Sequence, residues 1–148
     1  MSENKKFMAE AMSDDLMAGV AGGYNGEVMA SGSFSSQTGT SLNLFVSWTA
    51  VADGFGQKTL NVTVSATSYS LYSGALPNSV ELSVNGMYYT ATPNAVNYSG
   101  NTLASNVLAY FSIPNAVGPA NITASWRFNG VYSGVSLGTI SASGVAAF

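Results

Sequence analysis

Apolar and polar side chains alternate with a period of two along three stretches of the chain, the pattern of strands that turn one face to a core and the other to solvent. Leu42, Leu44, Val46, Trp48 and Ala50 share one face against Asn43, Ser47 and Thr49. Leu60, Val62, Val64 and Ala66 repeat the scheme against Asn61, Thr63 and Ser65, and Ile122, Ala124, Trp126 and Phe128 against Thr123, Ser125 and Arg127. These three strands are expected to carry the core. Val80–Val84 and Met87–Ala91 flank Asn85-Gly86, a pair suited to the positive φ angles of a type I′ hairpin turn. A two-residue turn there sets Val84 opposite Met87, Leu82 opposite Tyr89 and Val80 opposite Ala91, all six on one side. Further strands are expected near Glu27–Ser36, Val107–Ile113 and Leu137–Ala147, with Pro77, Pro93, Pro114 and Pro119 confined to loops, where a missing N–H does no harm. Roughly eight short strands with no helical pattern among them predict an all-β fold. The expected form is a two-sheet antiparallel sandwich, immunoglobulin-like or jelly-roll, with a closed barrel as the alternative.

Ahead of Tyr24 the period changes. Phe7, Met8, Ala11, Met12, Leu16 and Val20 recur at helical intervals among Lys, Glu and Asp residues, which predicts a short amphipathic helix from Ser2 to about Gly19. Gly19, Gly22 and Gly23 end it, and Ser13 before Asp14 and Asp15 offers a second N-cap. A helix this short is marginal alone in water and needs a partner. The ionic side chains divide at the same place: Glu3, Lys5, Lys6, Glu10, Asp14 and Asp15 precede Gly22-Gly23, and only Glu27, Asp53, Lys58, Glu81 and Arg127 follow it. The expected organisation is therefore a leader-like helical segment over residues 1–23 and one β-domain over residues 24–148.

Composition narrows the function classes. Charged residues make up 7% of the 148, against roughly 25% in ordinary soluble domains. With a net charge of −3 and only Lys58 and Arg127 basic in the β-domain, the attraction on which nucleic-acid binding rests is missing, and no nucleic-acid partner is expected. So little charge also leaves little repulsion between copies, which favours a homo-oligomer or filament. The chain contains no cysteine and no histidine. Disulfides and thiolate sites are thereby excluded, as are the commonest general base and transition-metal ligand. A Ser-Lys pair would depend on Lys58, and a glycosidase-like carboxylate pair on two of Glu27, Asp53 and Glu81. Asp53-Gly54-Phe55-Gly56-Gln57 supplies a single carboxylate, too few for calcium, and reads as a Gly-rich turn. No catalytic residue, metal or cofactor is assigned.

The eight tyrosines are the richest recognition groups, each a flat apolar ring with a polar tip. Tyr88, Tyr98 and Tyr132 are the candidates for surface recognition, toward a cell-surface or carbohydrate ligand. Tyr88 stands out because Met87 and Tyr89 cannot share its face. Asn61, Asn97 and Asn121 head glycosylation-type triplets, which a chain this rich in Asn, Ser and Thr produces by chance.

Glu10, Asp14 and Asp15 interrupt any apolar core of a Sec-type signal, and no run of the chain is long and apolar enough to be a transmembrane segment. What Met12-Ser13-Asp14-Asp15-Leu16-Met17-Ala18-Gly19-Val20-Ala21-Gly22-Gly23 resembles is the double-glycine leader of bacteriocin-type precursors. That resemblance implies that Met12, Met17 and Val20 dock on the peptidase domain of an ABC exporter, and that cleavage falls between Gly23 and Tyr24, with Gly22 and Gly23 threading the channel. Leu16 stands where the family usually carries an acidic residue. From Gly26 onward, Ala30–Ser36, Val46–Ala50, the Val80–Thr90 hairpin and Gly134–Val145 are similar to β-sandwich domains in tail and minor structural proteins of siphoviruses. The leading expectation is a non-enzymatic exported β-sandwich, secreted or held at the bacterial surface, acting as a building block or binding module. A virion or tail-associated structural protein is the alternative, and a bacteriocin-like secreted toxin the third.

Overall fold

The computed structural model describes residues 27–74 and 79–148. The amphipathic helix, the leader positions Met12, Met17, Val20, Gly22, Gly23 and Tyr24, and the loop proline Pro77 lie outside the described residues. Within them the protein is all-β, with ten strands and no helix.

The strands are β1 (Glu27–Ser35), β2 (Asn43–Ala52), β3 (Lys58–Ser68), β4 (Leu71–Ser73), β5 (Val80–Val84), β6 (Met87–Ala91), β7 (Val96–Tyr98), β8 (Ala104–Ile113), β9 (Ala120–Tyr132) and β10 (Val135–Ala146). They form a four-stranded sheet in the order β1-β2-β3-β8, a second in the order β10-β9-β5-β6, and a two-stranded ribbon of β4 and β7. Every pairing is antiparallel.

The alternating faces go where their pattern directs. Leu44, Val46, Trp48 and Ala50 of β2, and Leu60, Val62, Val64 and Ala66 of β3, are buried in one cluster with Ile122, Ala124, Trp126 and Phe128 of β9. Leu42 is fully buried just before β2 begins. The β5–β6 hairpin has the expected register, Val84 with Met87, Leu82 with Tyr89 and Val80 with Ala91. Asn85 and Gly86 both take positive φ, 49° and 85°, which glycine accepts without steric cost at the second position. Asn85 also accepts the Asn121 N–H at 2.9 Å through its side-chain oxygen, tying the hairpin tip to the start of β9.

β1 and β10 belong to different sheets but run close together. Phe34 of β1 lies over Gly144 of β10, so near that a Cβ built on Gly144 would sit 2.7 Å from Phe34 Cγ. On β1 itself the Trp48 indole crosses Gly32, where a Cβ would meet its Cζ2 at 2.8 Å. Phe148 then packs on Trp48, with ring centroids 6.2 Å apart. A missing side chain on each of these strands makes room for an aromatic ring from its neighbour, and the rings fill the gap between the sheets.

The outer face shared by β9 and β10 is rich in hydroxyls. Across β9 and β10, Thr123 and Ser143 share a hydrogen bond of 2.9 Å, and so do Ser125 and Ser141. Hydroxyl pairs on opposing residues of neighbouring strands stabilise the pairing without ions.

Candidate recognition site

At one end of the molecule the bend from β3 into β4 meets the turn from β9 into β10. Ser133 and Gly134 form that turn with φ of 50° and 78°, and Tyr132 pairs with Val135 across it. Between the bend and the turn lies a cleft of about 470 Å³, walled by Tyr69, Ser70, Tyr72, Val131, Tyr132 and Ser133, with Leu71 beneath. That volume falls in the range of roughly 300–1,000 Å³ typical of small-molecule sites.

Hydrogen bonds pin both walls. The Tyr69 N–H donates to the Tyr132 hydroxyl at 3.0 Å, joining two positions 63 residues apart. The Ser70 hydroxyl donates to the Gly100 carbonyl at 3.0 Å and accepts the Gly100 N–H at 3.1 Å. The bend is thereby fastened to the loop after β7. Leu71 and Tyr132 are buried at 3% and 7% exposure, while Tyr69 and Tyr72 keep 43% and 65% of their surface in solvent. Among the described residues no Asp, Glu, Lys or Arg lines the cleft.

Replacing Tyr132 by phenylalanine removes the acceptor of the Tyr69 N–H and leaves the ring in place. The expected loss is about 1 kcal/mol, the usual net value of one such bond, read as a lower urea midpoint with an unchanged slope. A stability equal to wild type would show that the bond does not hold the bend.

Of the three tyrosines singled out in the sequence, only Tyr132 lines the cleft. Tyr98 lies beside it in the β4–β7 ribbon, paired with Leu71, and its hydroxyl donates to the Thr102 carbonyl at 2.9 Å. Tyr88 is 69% exposed on the outer side of β6, opposite Ser83, which pairs in turn with Thr123 of β9. Nine positions then separate Thr123 from Tyr132, roughly 30 Å along an extended strand, so Tyr88 belongs to a different surface. Tyr69 and Tyr72 complete the cleft, and the sequence marks them only as two tyrosines bracketing a Ser-Leu pair.

Two of the ionic groups weighed for chemistry, Asp53 and Lys58, have structural uses. Asp53 Oδ1 accepts the Phe55 N–H at 2.7 Å and the Gln57 N–H at 3.1 Å, the side-chain staple of the expected Gly-rich turn. The Lys58 ammonium stands 5.5 Å from the centre of the Phe148 ring, a cation–π distance. Among the described residues no group of three acidic side chains is arranged to hold a metal, and no helix is long and apolar enough to cross a membrane. Comparison with known proteins finds no matching family model, no matching characterised relative and no matching solved structure.

Proposed function

We propose that this chain is a non-catalytic β-sandwich exported to the bacterial surface or the extracellular space, where copies join edge to edge as building blocks. Two four-stranded sheets that share one buried cluster support the two-sheet sandwich as the architecture of that block. The observation that carries the reading is the state of the sheet edges. The edge strands β1, β6, β8 and β10 contain no proline and one ionic side chain between them, Glu27 at the first position of β1. Monomeric β-proteins guard such edges with lysine, proline, bulges or short strands, because unpaired N–H and C=O groups recruit further strands. Here β1 carries one bulge, between Val28 and Ala30, and β8 carries another at Leu108. On β8, Asn94 covers the Leu108 and Val107 carbonyls. Strand addition between copies would satisfy the rest.

Negative-stain microscopy of the full chain over a rising concentration series tests the assembly. Wild type is expected to form oligomers or filaments. Ser31→Lys with Ser33→Lys in β1, or Ser141→Lys with Ser143→Lys in β10, is expected to raise the concentration needed by about tenfold or more, since facing lysines repel in a growing sheet. Discrete monomers throughout, or assembly indifferent to both lysine pairs, would refute it. The export half rests on the leader resemblance, and mass spectrometry of secreted material tests it: a mature chain beginning at Tyr24 is expected. The virion reading draws on the same uncharged edges and on the siphovirus resemblance. Neighbouring genes separate the two, peptidase-ABC exporter genes on one side and capsid or tail genes on the other.

A further inference from the structure

We propose that the cleft between Tyr69, Tyr72 and Tyr132 binds a neutral glycan. Its wall chemistry selects this class. A charged ligand would give up its hydration in a cleft whose described lining offers no counter-charge, a cost that unpaired ions do not recover. A purely apolar ligand would cover the Ser133 hydroxyl and the Tyr69 and Tyr72 phenol tips without meeting their hydrogen-bonding capacity. A sugar ring satisfies both demands, with C–H faces to lie on an aromatic ring and uncharged hydroxyls to meet Ser and Tyr oxygens.

The site is also built in advance. Leu71 beneath and Tyr132 in the wall are buried, the two walls are joined by the Tyr69–Tyr132 bond, and the bend is held to the loop after β7 by the paired Ser70–Gly100 bonds. Binding therefore orders little backbone, which lowers the cost of a weak, many-contact ligand. Tyr72, the most exposed ring of the cleft at 65%, is the platform on which the sugar lies, and Ser133 on the opposite turn supplies a hydroxyl to its edge. This glycan site is independent of edge-to-edge assembly, because none of the cleft residues lies on β1, β6, β8 or β10.

Affinity electrophoresis of the full chain tests the proposal, in gels containing hydroxyethyl cellulose, xylan, mixed-linkage glucan, galactomannan or the anionic control polygalacturonate. Retardation by at least one neutral polymer is expected, with weaker or no retardation by polygalacturonate. Tyr72→Ala should reduce it by about tenfold, the effect of losing one aromatic platform, and Tyr69→Ala should reduce it as well. Tyr88→Ala, on the remote face, should leave it unchanged. Passage of wild type unretarded through all four neutral gels would overturn the site, as would stronger retardation by the anionic polymer or retardation equal in Tyr72→Ala and wild type. The Ser31→Lys with Ser33→Lys variant should still bind, so loss of assembly and loss of glycan binding register as separate failures.

Discussion

Replacing Trp126 by alanine is expected to cost about 3–5 kcal/mol, the usual range for truncating a buried tryptophan. Trp126 is 0% exposed. It sits midway along β9, opposite Ile140 on one side and Val80 on the other, and its ring centroid lies 4.9 Å from that of Phe128. The cavity left by alanine would open between three strands whose pairing holds the second sheet together, so the ring cannot be replaced by local collapse. Since a domain of this kind is stable by roughly 5–15 kcal/mol, the variant stands near the limit of folding. Urea denaturation followed by the fluorescence of the remaining tryptophan, Trp48, measures the loss.

Trp126→Phe sharpens the test. The Trp126 Nε1 is buried without a hydrogen-bond partner among the described residues, and an unsatisfied buried donor costs about 1–3 kcal/mol. Phenylalanine gives up packing volume but also that penalty, so its net loss is expected to be about 1 kcal/mol or less. A loss as large as that of alanine would mean that the indole N–H is satisfied in solution, for example by a buried water.

The second large effect is at Gly144. Adding one methyl group there, Gly144→Ala, is expected to destabilise the protein by about 1–3 kcal/mol, as overpacking of a filled core does. The new Cβ would strike Phe34 at Cγ, the root of the ring. The whole ring must then move, and with it the packing of β1 against β10. In a Phe34→Ala background the same substitution should be nearly neutral, because the space has been vacated and alanine suits a strand better than glycine. The double-mutant cycle should therefore show a coupling of about 1–3 kcal/mol between these positions. Additivity would mean that the ring does not lie over the glycine.

The long strands are legible in the sequence because each has one buried and one wet face, and burial on one face forces period two whatever the partner. Leu60 to Ala66 and Ile122 to Phe128 need no tertiary knowledge to be read as core. The Asn85-Gly86 turn is legible for a related reason: its backbone demand is local and few residues meet it. Glu27–Ser35, Ala104–Ile113 and Val135–Ala146 cover the expected further strands with ends shifted by a few residues, where fraying and loop contacts decide.

The cleft is not legible in that way. It joins residues 69–72 to residues 131–133, and no local pattern announces a meeting of segments so far apart. β4 and β7 have three residues each, too few for any period to emerge. The turn that forms one wall is a sharper example. Asn129-Gly130 carries the stronger hairpin signature, and a two-residue turn there would set Trp126 opposite Ser133. The chain instead turns at Ser133-Gly134, with Phe128 and Asn129 in a bulge and Gly130 already paired with Leu137. That register places Trp126 opposite Ile140 and Ala124 opposite Ala142, apolar on apolar, and the burial gained along the strand outweighs the preference of one turn.

By itself the amino-acid sequence determined which residues alternate, where the charges stop, that histidine and cysteine are missing, and that the result is an all-β fold of strands with few charges. Those are consequences of residue type and spacing. Only the tertiary structure decided the order of strands in the sheets, the bulge that selected Ser133-Gly134 as a turn, and the assembly of Tyr69, Tyr72 and Tyr132 around one cleft. Each of these depends on which distant strands share a core, and that choice is made by the summed burial of many side chains and by no single segment.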